Sequence, residues 1–202
     1  MIYDQGTHLS QLVWNTHERI TRETALAHIQ ELSSFTPAVT VKSPYITNLP
    51  VSPAGKPDDL DNKDELAIRS LILGIVHRTL GEFIASRQLL LDAHKHHAEL
   101  ESNWVGGVAL FELAVLDLKE AEANSDTASS PSRASTPTAN GEKISSSPTK
   151  VSWPGVLKSA LDKLDKAMAI SGSNVDLSSR LDTRVSMLRD EIALKKEILG
   201  LH

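Results

Sequence analysis

Apolar side chains recur at three- and four-residue steps along most of the chain, the period of helices with one buried face. Leu9, Leu12, Val13, Ile20, Leu26, Ile29 and Leu32 keep that period and predict one N-terminal helix over 7–35. A second run over 67–98 is interrupted at Gly81, as two helices joined by a turn would be. A third covers 105–123. The spacing returns after residue 152 with Leu157, Ala160, Leu164 and Ala167. A last helix over 176–199 carries Leu177, Leu181, Val185, Leu188, Ile192 and Leu199 on one stripe, with a polar face opposite. No comparable period-two alternation is evident, so the expected fold is all-α.

Two stretches break the period. Residues 36–57 hold five of the nine prolines, Pro37, Pro44, Pro50, Pro53 and Pro57. Proline removes a backbone donor and biases its predecessor away from helix. This is an extended connector, with Val39, Val41, Tyr45 and Ile46 able to tack it down. Residues 124–152 contain nine serines and three prolines and almost no large apolar side chains. Such a tract cannot bury enough surface to offset its ordering entropy, and disorder is expected there. Ser130-Pro131, Thr136-Pro137 and Ser147-Pro148 fit proline-directed phosphorylation, and a plain spacer reading stays open beside it. The domain plan is therefore an N-terminal helix (7–35), a Pro-rich connector (36–57), a segment of three helices (58–123), an insertion (124–152), and a closing helix pair (153–199).

The order of small and large residues inside these helices follows the tetratricopeptide pattern, in which small positions let paired helices approach and large ones fill the gaps beside them. With Gly74 at the small position of a first helix, Gly81 falls on the turn. Phe83, Ser86, Leu90 and Ala93 then fall on the aromatic, small, large and small positions of its partner. Leu110, Leu113 and Ala114 begin a second copy, completed after the insertion by Leu157, Ala160, Leu164 and Ala167. A long loop between paired helices costs little, because closure entropy grows only logarithmically. The last helix suits a polar cap on a short array. Positions of the concave groove are Leu71, Ile75 and Arg78 in the first copy and Phe111, Val115 and Leu118 in the second. These six are the candidate partner-binding residues. Being mainly apolar, they suit a packed helix, an apolar peptide or a lipid rather than an acidic tail. The simplest expectation is that the 7–35 helix covers them.

Composition narrows the chemistry. The 202 residues are 40% hydrophobic and 23% charged, as in a folded protein. The net charge of −5 argues against wrapping nucleic acid or lying on an anionic membrane. Cysteine is absent, which removes thiolate metal sites, disulfides and thiol nucleophiles. The longest uncharged apolar stretch is far shorter than the roughly 20 residues of a bilayer span. Asn62-Lys63-Asp64-Glu65 reads as a helix capping box rather than a calcium loop, which needs a glycine where Asp64 stands when counted from Asp59. His94, His96 and His97 read as residues of a helix end rather than a metal site, and His77 as a packed side chain. Gly106-Gly107 lacks the Lys-Ser/Thr of a phosphate loop, and no G-x-S-x-G elbow occurs. No catalytic, metal or cofactor residues are assigned, and binding rather than catalysis is expected.

The runs Asp64-Glu65-Leu66-Ala67, Leu73-Gly74-Ile75-Val76-His77-Arg78-Thr79-Leu80-Gly81, Ala109-Leu110-Phe111-Glu112-Leu113-Ala114 and Ser179-Arg180-Leu181-Asp182-Thr183-Arg184 occur in this order. Together they resemble the C-terminal region of the tetratricopeptide repeat protein 39 family and its fungal inclusion body clearance (mitochondrial outer membrane protein) branch, over about 58–199. Family members are longer, so the resemblance implies the C-terminal part of such a protein. It further implies a non-enzymatic interaction scaffold of cytoplasm and nucleus, peripherally associated with lipid droplets or the mitochondrial outer membrane. Its implied partners are lipid-droplet-associated proteins, and its implied role is clearance of misfolded inclusions after folding stress. A lipid or sterol carrier with an apolar cavity between helices is the alternative.

Overall fold

A computed structural model describes residues 20–46, 60, 62–95, 97–129, 152–171 and 176–201. Six helices account for most of them: α1 (Arg22–Ser34), α2 (Lys63–Thr79), α3 (Phe83–Lys95), α4 (Trp104–Ser129), α5 (Trp153–Ser171) and α6 (Asp176–Ile198), with one 3-10 turn at His97–Glu99. Among the described residues there is no strand, so the fold is all-α as the periodicity predicts. The helices pack largely in chain order. α2 pairs with α3, α3 and α2 meet α4, α4 pairs most extensively with α5, and α6 closes on α5 and α4.

α1 is shorter than its predicted run. Thr21 is extended, and its hydroxyl accepts the Thr24 N–H at 3.2 Å. A threonine that caps in this way ends the helix on its N-terminal side. The predicted helix therefore does not continue through Thr21; its first part, 7–19, lies outside the described residues. Ala25, Ile29 and Leu32 are buried against Ile72, Leu73 and Val76 of α2, and Val39, Val41, Tyr45 and Ile46 of the connector pack on the same cluster. Polar groups hold the connector as well. The buried Arg69 guanidinium donates to the carbonyls of Phe35 (3.1 Å) and Pro37 (2.8 Å). His77 is fully buried and links α2 to this connector: its Nδ1 donates to the Leu73 carbonyl at 2.7 Å, which leaves Nε2 to accept from the Ser43 hydroxyl at 2.8 Å.

α2 starts as its sequence predicts. Asn62 caps it by accepting the Asp64 N–H at 2.9 Å. The Asp64 carboxylate accepts the backbone N–H of Ser102 at 2.7 Å, tying the entry of α2 to the turn before α4. Gly81 lies at φ 81° between α2 and α3, a conformation that costs other residues about 1 kcal/mol or more. The pair then closes over Gly74, where a Cβ would sit 2.8 Å from Leu90 Cγ and 3.2 Å from its backbone nitrogen. Ser86 donates to the Gly74 carbonyl at 2.7 Å in the same seam.

The α4–α5 pair repeats this close approach. Leu157, Ala160, Leu164 and Ala167 are all buried to 1% exposure or less, and a Cβ on Gly107 would collide with Ser171 Oγ. α4 extends beyond its predicted end at residue 123, through 124–129. Adding residues to an existing helix is far easier than starting one, and Ser125 bonds back to the Ala121 carbonyl at 2.8 Å. The described part of α4 ends at Ser129. The rest of the stretch expected to be disordered, 130–151, lies outside the described residues.

Gly74→Leu should cost about 1–3 kcal/mol by overpacking the seam against Leu90, and Ala160→Leu a similar amount in the second pair. The check is the denaturant midpoint. Wild-type midpoints for both variants would show that these are not close-approach positions.

Candidate functional site: a cavity beneath the C-terminal helix

α4 presents a carboxylate to the core. Glu112 is the only charged residue between Trp104 and Leu116, and it is 1% exposed. Two guanidiniums converge on it from other helices. Arg78, near the end of α2, brings Nη1 to 2.5 Å from Oε2, and Arg184 of α6 brings Nη2 to 2.6 Å from Oε1. Arg78 also donates to the Glu112 carbonyl at 3.4 Å. The Arg184 guanidinium lies 4.2 Å over the Phe111 ring, adding a cation–π contact to the ion pair. Burial by itself would push the Glu112 carboxyl up, but Arg78 and then Arg184 outweigh it and hold the group down at about 2. Glu112 is therefore ionised at neutral pH. It is a fixed charge joining α2, α4 and α6, not a proton carrier.

Beside this triad lies a cavity of about 270 Å3 between α4, α5 and α6, with Arg78 of α2 at its floor. Phe111, Leu157 and Ile192 are buried, while Lys119 and Glu122 at the rim are exposed. Lys195 closes one side, 4.5 Å over the Trp153 ring and 3.2 Å from Glu122.

The structure brings together Arg78, Phe111, Val115 and Leu118 of the six groove candidates, all on this cavity. Arg78 and Phe111 are only 4% exposed, and Val115 and Leu118 are half-buried. Leu71 and Ile75 are elsewhere. At 0% and 2% exposure they belong to the core shared by α2 and α4, where no partner can reach them without opening the fold. The described part of the expected cover lies elsewhere. α1 packs on the opposite side of α2, and α6 closes the groove by burying Leu181, Val185, Leu188 and Ile192.

Other sequence candidates resolve into structure. His94 and His97 stack with ring centroids 4.6 Å apart and an interplanar angle of 7°. Their Nδ1 atoms donate to the carbonyls of Gly106 (3.2 Å) and His94 (2.9 Å). His94 is half-buried against the start of α4 rather than a solvated helix end. Among the described residues no group of three or more metal-type ligands is present, and no helix is long and apolar enough to cross a membrane. Glu112 and its pairing with Arg184 were not predicted. The signal available was a lone carboxylate in an apolar helical run, which must find a cation wherever it is buried. No family model matches the chain, and no curated protein or solved structure matches it.

Removing the central charge leaves two guanidiniums facing each other in the core. Glu112→Leu should therefore cost about 3–5 kcal/mol, and Arg78→Met/Glu112→Leu/Arg184→Met together should recover most of that loss. Chemical denaturation of the two variants is the check, and equal midpoints would contradict it.

Acid should destabilise the fold in two stages. Burial lowers the pKa of His77 and His94 despite their bonds to Leu73 and Gly106. Unfolding lets both bind protons more readily, so their contribution is complete above about 6.5 and is lost as pH falls below it. The Glu112 contribution, about 3 kcal/mol, is complete above 4.5 and lost as pH falls towards 2. Denaturation midpoints measured against pH should show both falls, with the lower one absent from the triple variant.

Proposed function

We propose that the chain is a non-enzymatic interaction scaffold built from tetratricopeptide-like helix pairs, of the inclusion body clearance kind that its sequence resembles. The observation that supports this reading is the same seam occurring twice. Gly74, Ser86, Leu90 and Ala93 in α2–α3, and Ala114, Leu157, Ala160, Leu164 and Ala167 in α4–α5, are all buried, as the proposed repeat register requires. Stacked pairs of this type present extended surfaces to protein partners.

The contact surface in this proposal is not the predicted groove, over which α6 lies. It is the outer face of α6, where Leu194 and Ile198 are 57% and 71% exposed at helical spacing. Exposed apolar side chains grouped on one helix suit protein contact. The resemblance directs the search for partners to lipid-droplet-associated proteins, in cytoplasm or nucleus, during recovery from folding stress.

A Leu194→Lys/Ile198→Lys variant should keep the wild-type melting profile and lose those proteins in pull-downs from stressed cells. Recovery of the same proteins by wild type and variant would remove this face from the mechanism. Reproducible turnover of a substrate by the pure chain would overturn the non-enzymatic reading.

A further inference from the structure

We propose that Ser43, followed by Pro44, is a phosphorylation site for a proline-directed kinase, and that its phosphate undocks the connector from α2. Ser43-Pro44 has the same Ser-Pro signature as Ser130-Pro131 and Ser147-Pro148. Here the hydroxyl has a place in the fold. Ser43 Oγ accepts the Tyr45 N–H at 3.1 Å and donates to His77 Nε2 at 2.8 Å, because Nδ1 already donates to the Leu73 carbonyl. Among the described residues no backbone–backbone hydrogen bond holds 38–46. That stretch rests on the Ser43–His77 bond, the bond from Arg22 to the Tyr45 hydroxyl at 3.0 Å, and the packing of Val39, Val41, Tyr45 and Ile46. Segments held by so few bonds open locally at far less cost than global unfolding. Ser43 is half-buried between Lys42 and Pro44, which are both exposed, so a local opening presents it to a kinase.

In the transfer, Ser43 Oγ bonds to the γ-phosphorus of kinase-bound ATP, the bond from that phosphorus to the β-phosphate oxygen breaks, and ADP leaves. The hydroxyl proton passes to the kinase's catalytic aspartate. The product has lost the hydrogen that His77 Nε2 accepted. In its place stand acceptor oxygens and a charge of about −1.5 to −2 at neutral pH. A lone pair then faces a lone pair. The imidazole would relieve this only by taking a proton, which its surroundings oppose: His77 is 0% exposed and burial lowers its pKa. Among the described residues no lysine or arginine bonds to Ser43 to offset the charge. A phosphate left in this contact would also lose hydration, as a charged group placed in an apolar interface does. Leaving α2 restores its water. This switch shares no residue with the outer face of α6 invoked for protein partners, so each can fail without the other.

The test treats the full chain with a purified mitogen-activated protein kinase, ATP and magnesium, and maps phosphate by mass spectrometry. Phosphate at Ser43 is expected. Acylation of His77 by diethyl pyrocarbonate then reads undocking, with His94 and His97 as references for general unfolding. His77 should react about tenfold or more faster in the Ser43-phosphorylated chain, with the references unchanged. Ser43→Glu should act in the same direction without a kinase. Ser43→Ala treated with the kinase, which carries phosphate at other positions only, should leave His77 slow. Absence of phosphate at Ser43 would overturn the modification site. Unchanged or slower acylation of His77 in the phosphorylated chain would overturn the undocking, since a phosphate–imidazolium pair would hold the connector tighter. A rise shared by all three histidines would do the same, because it marks loss of the whole fold.

Discussion

A carboxylate held in a dry core must be paired, and Glu112 is paired twice, by arginines 34 residues before it and 72 residues after it. That constraint joins three helices that share no turn. α2 supplies Arg78, α4 supplies Glu112, and α6 supplies Arg184. Packing is tight on both sides of the joint. Leu113 and Ala114 next to Glu112 are 1% and 0% exposed, and Leu181, Val185 and Leu188 flank Arg184. Such a triad adds little net stability over an apolar replacement, because desolvation of the ions offsets most of their attraction. Its consequence is positional. α6 sits in the register that brings Arg184 to Oε1 and over the Phe111 ring.

The placement of α6 determines what the protein offers to other molecules. With Leu181, Val185, Leu188 and Ile192 turned inward, α6 packs on the core formed by α2, α4 and α5. What stays open is the gap beside the triad, where Lys195 lies over the Trp153 ring, and the outer face of α6 with Leu194 and Ile198. The first is a small cavity whose lining carries Lys119 and Lys195 beside Glu122 and Glu191. The second carries Leu194 and Ile198 among exposed charged side chains. These are different kinds of surface.

Much of the architecture was readable along the chain because it rests on local periodicity. The α2–α3 turn at Gly81, the Asn62 cap and the buried Leu157–Ala160–Leu164–Ala167 face all follow from residues within one or two helices. Element ends were less legible. The α1 start depends on whether the Thr21 hydroxyl takes the Thr24 N–H, and the α4 end on how far a helix already formed propagates into a serine-rich tract. The site was partly legible. Arg78, Phe111, Val115 and Leu118 were placed on one surface by repeat register and do converge, whereas Leu71 and Ile75 are lost to the core because α4 lies over that side of α2. The Arg184 contact was hidden, because a pairing across 72 residues leaves no local trace in a sequence.

The central claim is that Glu112 holds α6 against the helix pairs. Native-state hydrogen exchange of Glu112→Gln against wild type tests it most directly, because exchange reports the opening of each helix separately. The account predicts that amides of 181–195 lose protection by at least about tenfold more than those of α2 and α3, since α6 is held through Arg184 alone at this joint. Wild-type protection across 181–195 in a folded Glu112→Gln chain would contradict it.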